Sequence, residues 1–268
     1  MMRRLLYILA VLACCACVGQ PDDPETPDPG TPETPVPGGN ADGSRFYRRV
    51  LALDFTATWC QYCPNMATAI ESAKKQRPGR IVEVAVHYED ELSPPEAQDL
   101  VSLFAVNAFP TAVLDLDAST RSSRQEATLF TSYVDRAVAG ETCGLALETS
   151  VTAGELTLKM TVKSPAIASY SAAALLVEDG IVTYQAGVGN GYVQNAVLRS
   201  VLGNGGVGGS TLGQMKAGEE RTLTYKTRPK SVSDRLRIVA FVLQDGKVVN
   251  AATCALIDKT EYEYEANP

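Results

Sequence analysis

The sequence predicts two folded parts, an α/β domain over residues 45–140 and an all-β domain over residues 141–264. In the first part, short apolar runs alternate with segments of helical spacing, an order that is typical of an α/β fold. In the second part, apolar and polar residues alternate with period two between turn signals, which favours an antiparallel β-sandwich. These limits enclose about 220 residues, which is enough for two domains.

Residues 1–17 are expected to be a lipoprotein signal peptide. Two arginines precede nine apolar residues, Leu5 to Ala13, a stretch that is too short to span a bilayer and suits a secretory signal. The small residue before Cys14 resembles a bacterial lipobox, so Cys14 is the expected lipidation site and Cys17 is the alternative. Plain secretion without a lipid is the competing interpretation. Either route would allow disulfides to persist.

Residues 18–44 are predicted to be a disordered tether. The segment is dense in proline and glycine and carries six acids and no base, a composition that cannot bury a core. Extended at about 3.1 Å per residue, it could hold a domain up to roughly 80 Å from a membrane. The formal net charge of the chain is −7, and the acids of the tether account for much of it. The folded body is therefore almost balanced, and no nucleic-acid partner is predicted.

A pair of cysteines, Cys60 and Cys63, lies where a predicted strand gives way to a predicted helix. The apolar run Val50–Leu53 indicates the strand, and Asn65–Lys75 is compatible with a helix. The spacing of the cysteines places both sulfurs on one face of the first helical turn, close enough to form a disulfide. Free N–H groups and the helix dipole then favour the thiolate of Cys60. Trp59 can shield the sulfurs on one side, so the pattern indicates a redox pair.

Two other interpretations of the cysteine pair are open. Zinc requires four ligands, and the remaining candidates His87, Cys143 and Cys254 show no paired spacing, so no metal is predicted. No cofactor is predicted either. The pair could instead be an inert structural disulfide in a binding module. The single histidine, His87, is expected to be partly exposed and hydrogen-bonded rather than a partner of the thiols.

These residues resemble the thioredoxin superfamily beyond the cysteine pair. The matching pattern, Asp-Phe-x-Ala-x-Trp-Cys-x-x-Cys, comprises Asp54, Phe55, Ala57, Trp59, Cys60 and Cys63. A second similarity is Pro110, which lies 47 residues after Cys63 and is followed by an apolar run. The resemblance implies a thioredoxin-like fold for residues 45–140.

The same resemblance implies roles for single residues. Pro110 would be a cis-proline that faces the cysteine pair, and the backbone beside it would receive a substrate chain. The substrate-binding surface would comprise Trp59, Phe109, Pro110 and Thr111. Asp54 would be the buried acid beneath the disulfide that manages the proton of Cys63.

The remaining elements of the first domain follow from apolar spacing. A strand is predicted over Arg80–His87, a helix that opens at Pro94, a strand after Pro110 and a helix over about Ala127–Ala139. Thioredoxin-like folds usually place another strand before the last helix. Only the polar residues Ala118–Glu126 are available for it, so that edge strand is expected to be short or missing.

The second domain begins with a hairpin signature, two alternating runs over Leu145–Val151 and Glu155–Lys163. Further strands are predicted over Ala172–Val177, Arg221–Lys226, Leu236–Gln244 and Val248–Leu256. The glycine-rich run Gly203–Gly213 is interpreted as a mobile loop. The sum is an antiparallel β-sandwich, immunoglobulin-like or jelly-roll-like.

Two cysteines of the second domain, Cys143 and Cys254, form an even pair in an exported protein. Such a pair indicates a structural disulfide that ties the ends of the domain. The pairing is a hypothesis, because sequence does not give the separation of the two Cα atoms.

Almost the whole chain resembles a narrower family, the outer-membrane-protein-28-related lipoproteins of Bacteroidetes. Their pattern is a lipidated N-terminus, a thioredoxin-like domain with Thr-x-Trp-Cys-x-x-Cys-Pro, and a β-rich C-terminal domain. The matching segments are Thr58–Pro64, Val177–Val182, Tyr192–Arg199 and Ala240–Asp245. The resemblance implies a lipid-anchored protein of the Gram-negative cell envelope, in the outer membrane.

The leading functional hypothesis is an envelope-anchored thiol–disulfide oxidoreductase. Cys60 would attack a disulfide of a partner protein, and Cys63, helped by Asp54, would resolve the mixed disulfide. Gln61 and Tyr62 supply no positive charge between the cysteines, which favours a moderate or reducing potential. The expected partners are protein thiols and disulfides and, through the lipid, a membrane. The alternative is a redox-silent surface lipoprotein that acts as a binding or adhesion module.

Overall fold

A computed structural model describes residues 44–266. The predicted signal peptide with Cys14 and Cys17, and the predicted tether up to residue 43, lie outside the described residues. Within residues 44–266, none of the helices has the length and apolar character needed to cross a membrane.

The first part of the chain has the expected α/β order. Its elements are β1 (Val50–Thr56), α1 (Cys63–Gln76), β2 (Ile81–His87), α2 (Ala97–Leu103), β3 (Thr111–Leu114), β4 (Asp117–Ser122) and α3 (Ala127–Ala137). Every residue of β1 and β2 is buried, because both faces of these strands are covered. The edge strand whose presence was uncertain from the sequence is β4, which pairs antiparallel with β3. None of its six side chains is buried, which explains its polar sequence.

The second part is built from strands and confirms the predicted sandwich. Its elements are β5 (Gly144–Thr152), β6 (Glu155–Lys163), β7 (Ala168–Glu178), β8 (Ile181–Gln185), β9 (Gly189–Gln194), β10 (Val197–Leu202), β11 (Ser210–Met215), β12 (Glu220–Thr227), β13 (Leu236–Gln244), β14 (Lys247–Ala255) and β15 (Lys259–Thr260). The six strands predicted from alternation are present as β5, β6, β7, β12, β13 and β14. The sequence did not indicate β8 to β11 or β15 as strands.

The prediction of a mobile loop over Gly203–Gly213 is wrong. A short 3-10 turn covers Gly206–Gly208, and β11 then pairs antiparallel with β7. Gly209 has a φ of 71°, and a Cβ at this position would collide with the carbonyl oxygen of Ala172. At least this glycine therefore permits close packing on β7.

The two parts share one sheet. It has nine strands in the order β14-β13-β7-β10-β2-β1-β3-β4, with β11 paired to β7. The join is a parallel pairing of β10 with β2, in which the Ala85 N–H donates to the Ala196 carbonyl at 2.8 Å. A second sheet of four strands, β12-β6-β5-β15, completes the sandwich. The boundary predicted between residues 140 and 141 stays a prediction.

Buried side chains fill three layers around these sheets. One cluster joins Leu53 and Phe55 of β1 to Leu175 of β7 and Phe241 of β13, so it belongs to both parts of the chain. Leu176, the next residue of β7, points to the opposite face and packs in the core of the sandwich. A third cluster packs α1 and α3 against β1. The end of β1, where the cysteine motif begins, is thus fixed from several sides.

The predicted disulfide between Cys143 and Cys254 is not formed. Both residues are free, buried thiols. Cys254 lies against Thr149, with 3.8 Å between the Thr149 Oγ1 and Cys254 Sγ atoms. Thr149 is six residues along the chain from Cys143, which at about 3.3 Å per residue of strand corresponds to roughly 20 Å. A disulfide requires Cα atoms within about 7 Å.

We expect thiol mapping of the full chain to find Cys143 and Cys254 reduced. After unfolding without reductant, iodoacetamide should label the peptides that contain these two residues. In the folded protein, labelling of Cys143 should be far slower, because burial raises the pKa of its thiol to about 12. A peptide in which Cys143 is linked to Cys254 would contradict the structure.

Candidate active site

The cysteine pair occupies the loop between β1 and α1. Cys60 and Cys63 form a disulfide with their Cα atoms 5.5 Å apart. The helix begins at Cys63, so Cys60 lies in the preceding turn rather than in the first helical turn as expected. The Cys60 carbonyl accepts a hydrogen bond from the Cys63 N–H at 3.3 Å, which keeps Cys60 close to the start of α1. Both cysteines are buried, with 5% and 2% of their surface exposed.

An aromatic wall stands beside the disulfide. The ring centroids of Trp59 and Phe109 are 5.4 Å apart, and Phe109 stacks on Tyr88 at 5.5 Å. The Trp59 indole N–H donates to the Tyr88 carbonyl at 3.1 Å. Trp59 nevertheless keeps 49% of its surface exposed. The wall therefore offers a partly open apolar surface next to Cys60.

The Phe109–Pro110 peptide bond is cis, as the resemblance implied. Phe109 packs against Ala57 and both cysteines, so this turn adjoins the disulfide. The side chain of Thr111 is buried, and its hydroxyl donates to the Ala108 carbonyl at 2.8 Å. Because that hydroxyl is already engaged, a bound chain could use the main chain of this turn but not the Thr111 side chain.

Asp54 is buried, and it lines one cavity together with Cys63 of the disulfide. Its Oδ1 atom has no hydrogen-bond partner among the described residues. The carboxyl lines a cavity of about 450 Å³ that also touches Cys63 and Glu83. Burial, and next the negative charge of Glu83, raise the pKa of Asp54 well above its usual value, while Lys74 lowers it. Asp54 therefore retains its proton to a higher pH than an exposed aspartate.

Glu83 is a second buried carboxyl near the disulfide that the sequence analysis did not single out. In the parallel pair of β1 and β2, Glu83 lies opposite Ala52 and Asp54 opposite Ala85, so both carboxyls are on one face of the sheet. Lys74 of α1 forms an ion pair with Glu83 and a second one with Glu71, at 2.6 Å. The cluster thus holds two buried carboxyls near a single lysine.

One side of the redox loop is held by Asp90. Its carboxylate accepts from the Thr58 N–H at 2.7 Å and lies 2.7 Å from the His87 Nδ1 atom. Burial opposes ionisation, but the hydrogen bonds from His87 and Thr58 hold the pKa of Asp90 below its usual value. His87 is hydrogen-bonded as expected, but it is fully buried and not partly exposed. It supports the loop through Asp90.

The other side of the loop is held by the hairpin of β8 and β9, from the second part of the chain. The Gln185 side-chain amide donates to the carbonyls of Cys60, at 2.8 Å, and of Ala57, at 3.1 Å. The Ala186 N–H donates to the Thr58 carbonyl at 2.8 Å. Gln194 in turn donates to the Gln185 side-chain oxygen at 2.8 Å. The hairpin therefore clamps the redox loop at three of its carbonyls.

The sequence gives little sign of this contact. Gln185 is 1% exposed, yet nothing in its local sequence marks it as a buried partner of the cysteine motif. The clearest local signal is Gly187, with a φ of 81°, where a Cβ would lie 2.8 Å from the Gln61 carbonyl oxygen. A glycine in a short turn predicts a close approach, but not what it approaches.

The structure thus brings together most of the predicted site. The disulfide lies with Asp54 on one side and the aromatic wall and cis-proline turn on another. The free thiols of the sandwich are not part of it, and Cys14 lies outside the described residues. The residues missed by sequence reasoning are Glu83, Lys74, Asp90 and Gln185.

Replacing Gln185 by Ala should loosen the redox loop. The buried carbonyls of Ala57 and Cys60 would each lose one of their two donors, and the Gln194 amide would lose its acceptor, at about 0.5–1.5 kcal/mol per hydrogen bond lost. We expect urea denaturation of the full chain to show a loss of this size. Thr183→Val is the matched control, because it removes a hairpin contact to Glu91 but leaves the loop carbonyls paired. Equal losses of unfolding free energy in Gln185→Ala and Thr183→Val would contradict a specific role of Gln185 in holding the redox loop.

Replacing Asp54 by Asn should stabilise the folded chain at neutral pH. Above about pH 4 an unfolded aspartate loses its proton while the folded Asp54 keeps it, so folding stability falls by about 1.4 kcal/mol per pH unit until the folded carboxyl ionises. The asparagine side chain cannot ionise, so the variant escapes this loss. Urea denaturation of the oxidised chains should show a gap in unfolding free energy that widens as the pH rises above 4. A gap that does not change with pH would contradict the raised pKa.

Comparisons with known proteins agree with this architecture. A family model described as "Outer membrane protein Omp28" matches residues 97–259, and one described as "Thioredoxin" matches residues 45–132. No curated protein matches this chain.

Two solved structures are similar over most of the chain. HBP35 of Porphyromonas gingivalis has a TM-score of 0.66 at 20% identity, covering 79% of this chain and 76% of its own. A protein of Agrobacterium tumefaciens has a TM-score of 0.51 at 15% identity, covering 81% of this chain and 97% of its own. At these identities the similarity concerns the fold. Because the Omp28 model spans more than half of the 268 residues, this chain belongs to the outer membrane protein Omp28 family, with a thioredoxin domain in its N-terminal part.

Proposed function

We propose that this protein is a thiol–disulfide oxidoreductase of the cell envelope that acts on protein clients. The observation that carries the proposal is the Cys60–Cys63 disulfide, held between a cis-proline turn and a buried carboxyl. A structural disulfide needs none of these neighbours. A redox pair needs an accessible side, a docking turn and a group that takes a proton from the second thiol.

The reaction runs through a mixed disulfide. In the reduced protein the Cys60 thiolate attacks one sulfur of a client disulfide, and the other client sulfur leaves as a thiolate. Cys63 then gives its proton to Asp54 and attacks the Cys60 sulfur, which breaks the bond to the client. Two electrons pass to the client, which ends as a dithiol, and the Cys60–Cys63 disulfide is formed. A dithiol donor restores the reduced pair, and the reverse sequence oxidises a client dithiol.

The client chain would lie along the aromatic wall and the cis-proline turn. Trp59 supplies the exposed apolar surface, and Phe109 connects it to both cysteines. The main chain beside Pro110 and Thr111 would bind the client backbone, since the Thr111 hydroxyl is engaged within the protein. Such main-chain recognition suits many different client sequences.

An envelope location is part of the proposal. The family is described as outer membrane proteins, and similar HBP35 is a protein of Porphyromonas gingivalis. We place the chain in the outer membrane through a lipid on Cys14, since the first residues resemble a lipoprotein signal. Client disulfides persist in such a compartment, whereas cytosolic thiols are kept reduced.

Insulin reduction by the purified full chain with dithiothreitol tests the redox assignment. We expect the natural sequence to accelerate the reaction and Cys60→Ser to reduce it to the uncatalysed rate, because the attacking thiolate is lost. Cys254→Ser is the matched control and should retain activity, since this thiol is buried in the sandwich. Absence of turnover in all three proteins would favour a redox-silent binding module.

A further inference from the structure

We propose that the outer face of the hairpin of β8 and β9 extends the client site beside the redox loop, and that the clients are incompletely folded chains with apolar residues around the reactive cysteine. The inference rests on the proposed function and deepens it, because it names the class of client. It adds a surface from the second part of the chain, which neither the cysteine motif nor the cis-proline turn contains.

Exposed apolar side chains are concentrated around the redox loop. Eleven large apolar side chains of the described residues are strongly exposed, and six of them lie on the redox loop or the hairpin. We call these six the client face: Trp59, Tyr62, Val182, Tyr184, Val188 and Val193. Soluble proteins rarely expose large apolar patches, and such patches mark sites where a partner binds.

Strand alternation places these side chains of the hairpin on its outer face. In β8 the exposed Val182 and Tyr184 alternate with the partly buried Thr183 and with Gln185, whose buried side chain binds the redox loop. In the antiparallel register, Val193 of β9 lies opposite Val182. The inner face of the hairpin thus holds the redox loop, while its outer face keeps apolar side chains that the clamp does not use.

The outer face is continuous with the redox loop. The Ala186 N–H donates to the Thr58 carbonyl at 2.8 Å. At Gly187 the two backbones approach so closely that a Cβ would lie 2.8 Å from the Gln61 carbonyl oxygen. The residues that follow Thr58, Gln61 and Gly187 in the chain are members of the client face: Trp59, Tyr62 and Val188. A client bound at Cys60 therefore meets the hairpin without crossing a gap.

The length of the face fits a short extended segment. Val182 is four residues of β8 away from Ala186, the point of contact with the redox loop, which at about 3.3 Å per residue is roughly 13 Å. An extended client would cover this distance with about four residues beyond its cysteine. The residues nearest to the reactive cysteine are therefore the ones that the face can select.

The area of the face is too small for a stable dimer. Its three aromatic side chains are each about half exposed, so together they offer roughly 300 Å². The three valines are smaller, so the whole face stays below twice that area. Each partner of a stable complex buries about 800 Å². The face thus fits a transient partner better than a permanent one.

The chemistry of the redox loop also points to a client. A permanent partner on this face would cover Trp59 and Tyr62, which stand on both sides of Cys60 in the chain, and would block the approach of other disulfides. A client covers them only while the mixed disulfide lasts. Because cysteines and apolar residues are mostly buried in folded proteins, the segments that fit the face are exposed in chains that have not finished folding.

Two peptide disulfides test the choice of client. Each carries one cysteine joined to thionitrobenzoate, and the cysteine is flanked by valine and tyrosine in the first peptide and by serine and threonine in the second. The Cys60 thiolate of the pre-reduced full chain attacks the peptide sulfur, and thionitrobenzoate leaves as a coloured thiolate. We expect the concentration for half-maximal rate to be roughly tenfold lower for the apolar peptide, because its side chains are buried on the client face. Equal concentrations would overturn the inference.

A double substitution tests the part played by the hairpin. Val182→Ser with Tyr184→Ser removes apolar side chains from the outer face but keeps Gln185 on the inner face, so the preference for the apolar peptide should fall about tenfold. Val182→Ile with Tyr184→Phe keeps the apolar character and should keep the preference. An unchanged preference in the serine variant, or its loss in the conservative variant, would overturn the role of the hairpin.

Ile167→Ser is the matched control for the serine variant. Ile167 is 72% exposed, and the eleven residues of β7, roughly 35 Å at 3.3 Å per residue, separate it from the hairpin. This variant should keep the full preference for the apolar peptide. A loss equal to that of the serine variant would show a general effect of surface hydrophobicity and would overturn the inference.

The outcomes separate this inference from the proposed function. If the natural sequence releases no more thionitrobenzoate than Cys60→Ser, the oxidoreductase assignment fails, and the client face fails with it. If the natural sequence reduces both peptides with the same half-maximal concentration, only the client face fails. Light scattering tests the other occupant: a dimer that becomes a monomer in the serine variant would assign the face to a second copy of the chain and overturn the inference.

Discussion

The pairing of β10 with β2 is the contact on which the arrangement of the site depends. The Ala85 N–H donates to the Ala196 carbonyl at 2.8 Å, and the hairpin of β8 and β9 immediately precedes this point in the chain. The pairing therefore holds the hairpin beside α1 and over the redox loop. Gln185 can then bind the carbonyl of Cys60, a residue 125 positions away in sequence. The redox loop is consequently part of both halves of the protein.

Two buried aspartates, Asp115 and Asp54, differ in the hydrogen-bond donors around their carboxyl groups. Asp115 accepts hydrogen bonds from the Arg48 guanidinium and from the Leu51 N–H, each at 2.8 Å. Burial raises the pKa of Asp115, and because these contacts offset the rise only in part, the pKa is about 6. Among the described residues, the Oδ1 atom of Asp54 has no such donor, and the charge of Glu83 adds to the effect of burial in raising the pKa of Asp54. A carboxyl that is fully paired anchors its neighbours. One that is buried and incompletely paired is available to move a proton.

Local sequence patterns predicted what depends on local contacts. The strand before Cys60, the helix after Cys63 and the alternating strands of the sandwich follow from short stretches of sequence, whereas the cis bond at Pro110 was implied by the family resemblance. The hairpin clamp does not, because its partner is remote and its strands are short. The expected disulfide between Cys143 and Cys254 rests on an even number of cysteines in an exported protein, and neither observation gives a distance. The glycine-rich run Gly203–Gly213 suggested a mobile loop, whereas Gly209 permits this segment to pack closely on β7.

The ends of the described chain meet at one edge of the molecule. Phe46 bridges to Tyr264, the Tyr47 N–H donates to the Glu263 carbonyl at 2.8 Å, and Arg80 pairs with Glu265. This edge precedes β1, whereas the disulfide follows it, and seven residues of strand at about 3.3 Å each separate the two by roughly 20 Å. Immobilising the protein through either end of the described chain would thus hold the same edge, roughly 20 Å from the disulfide.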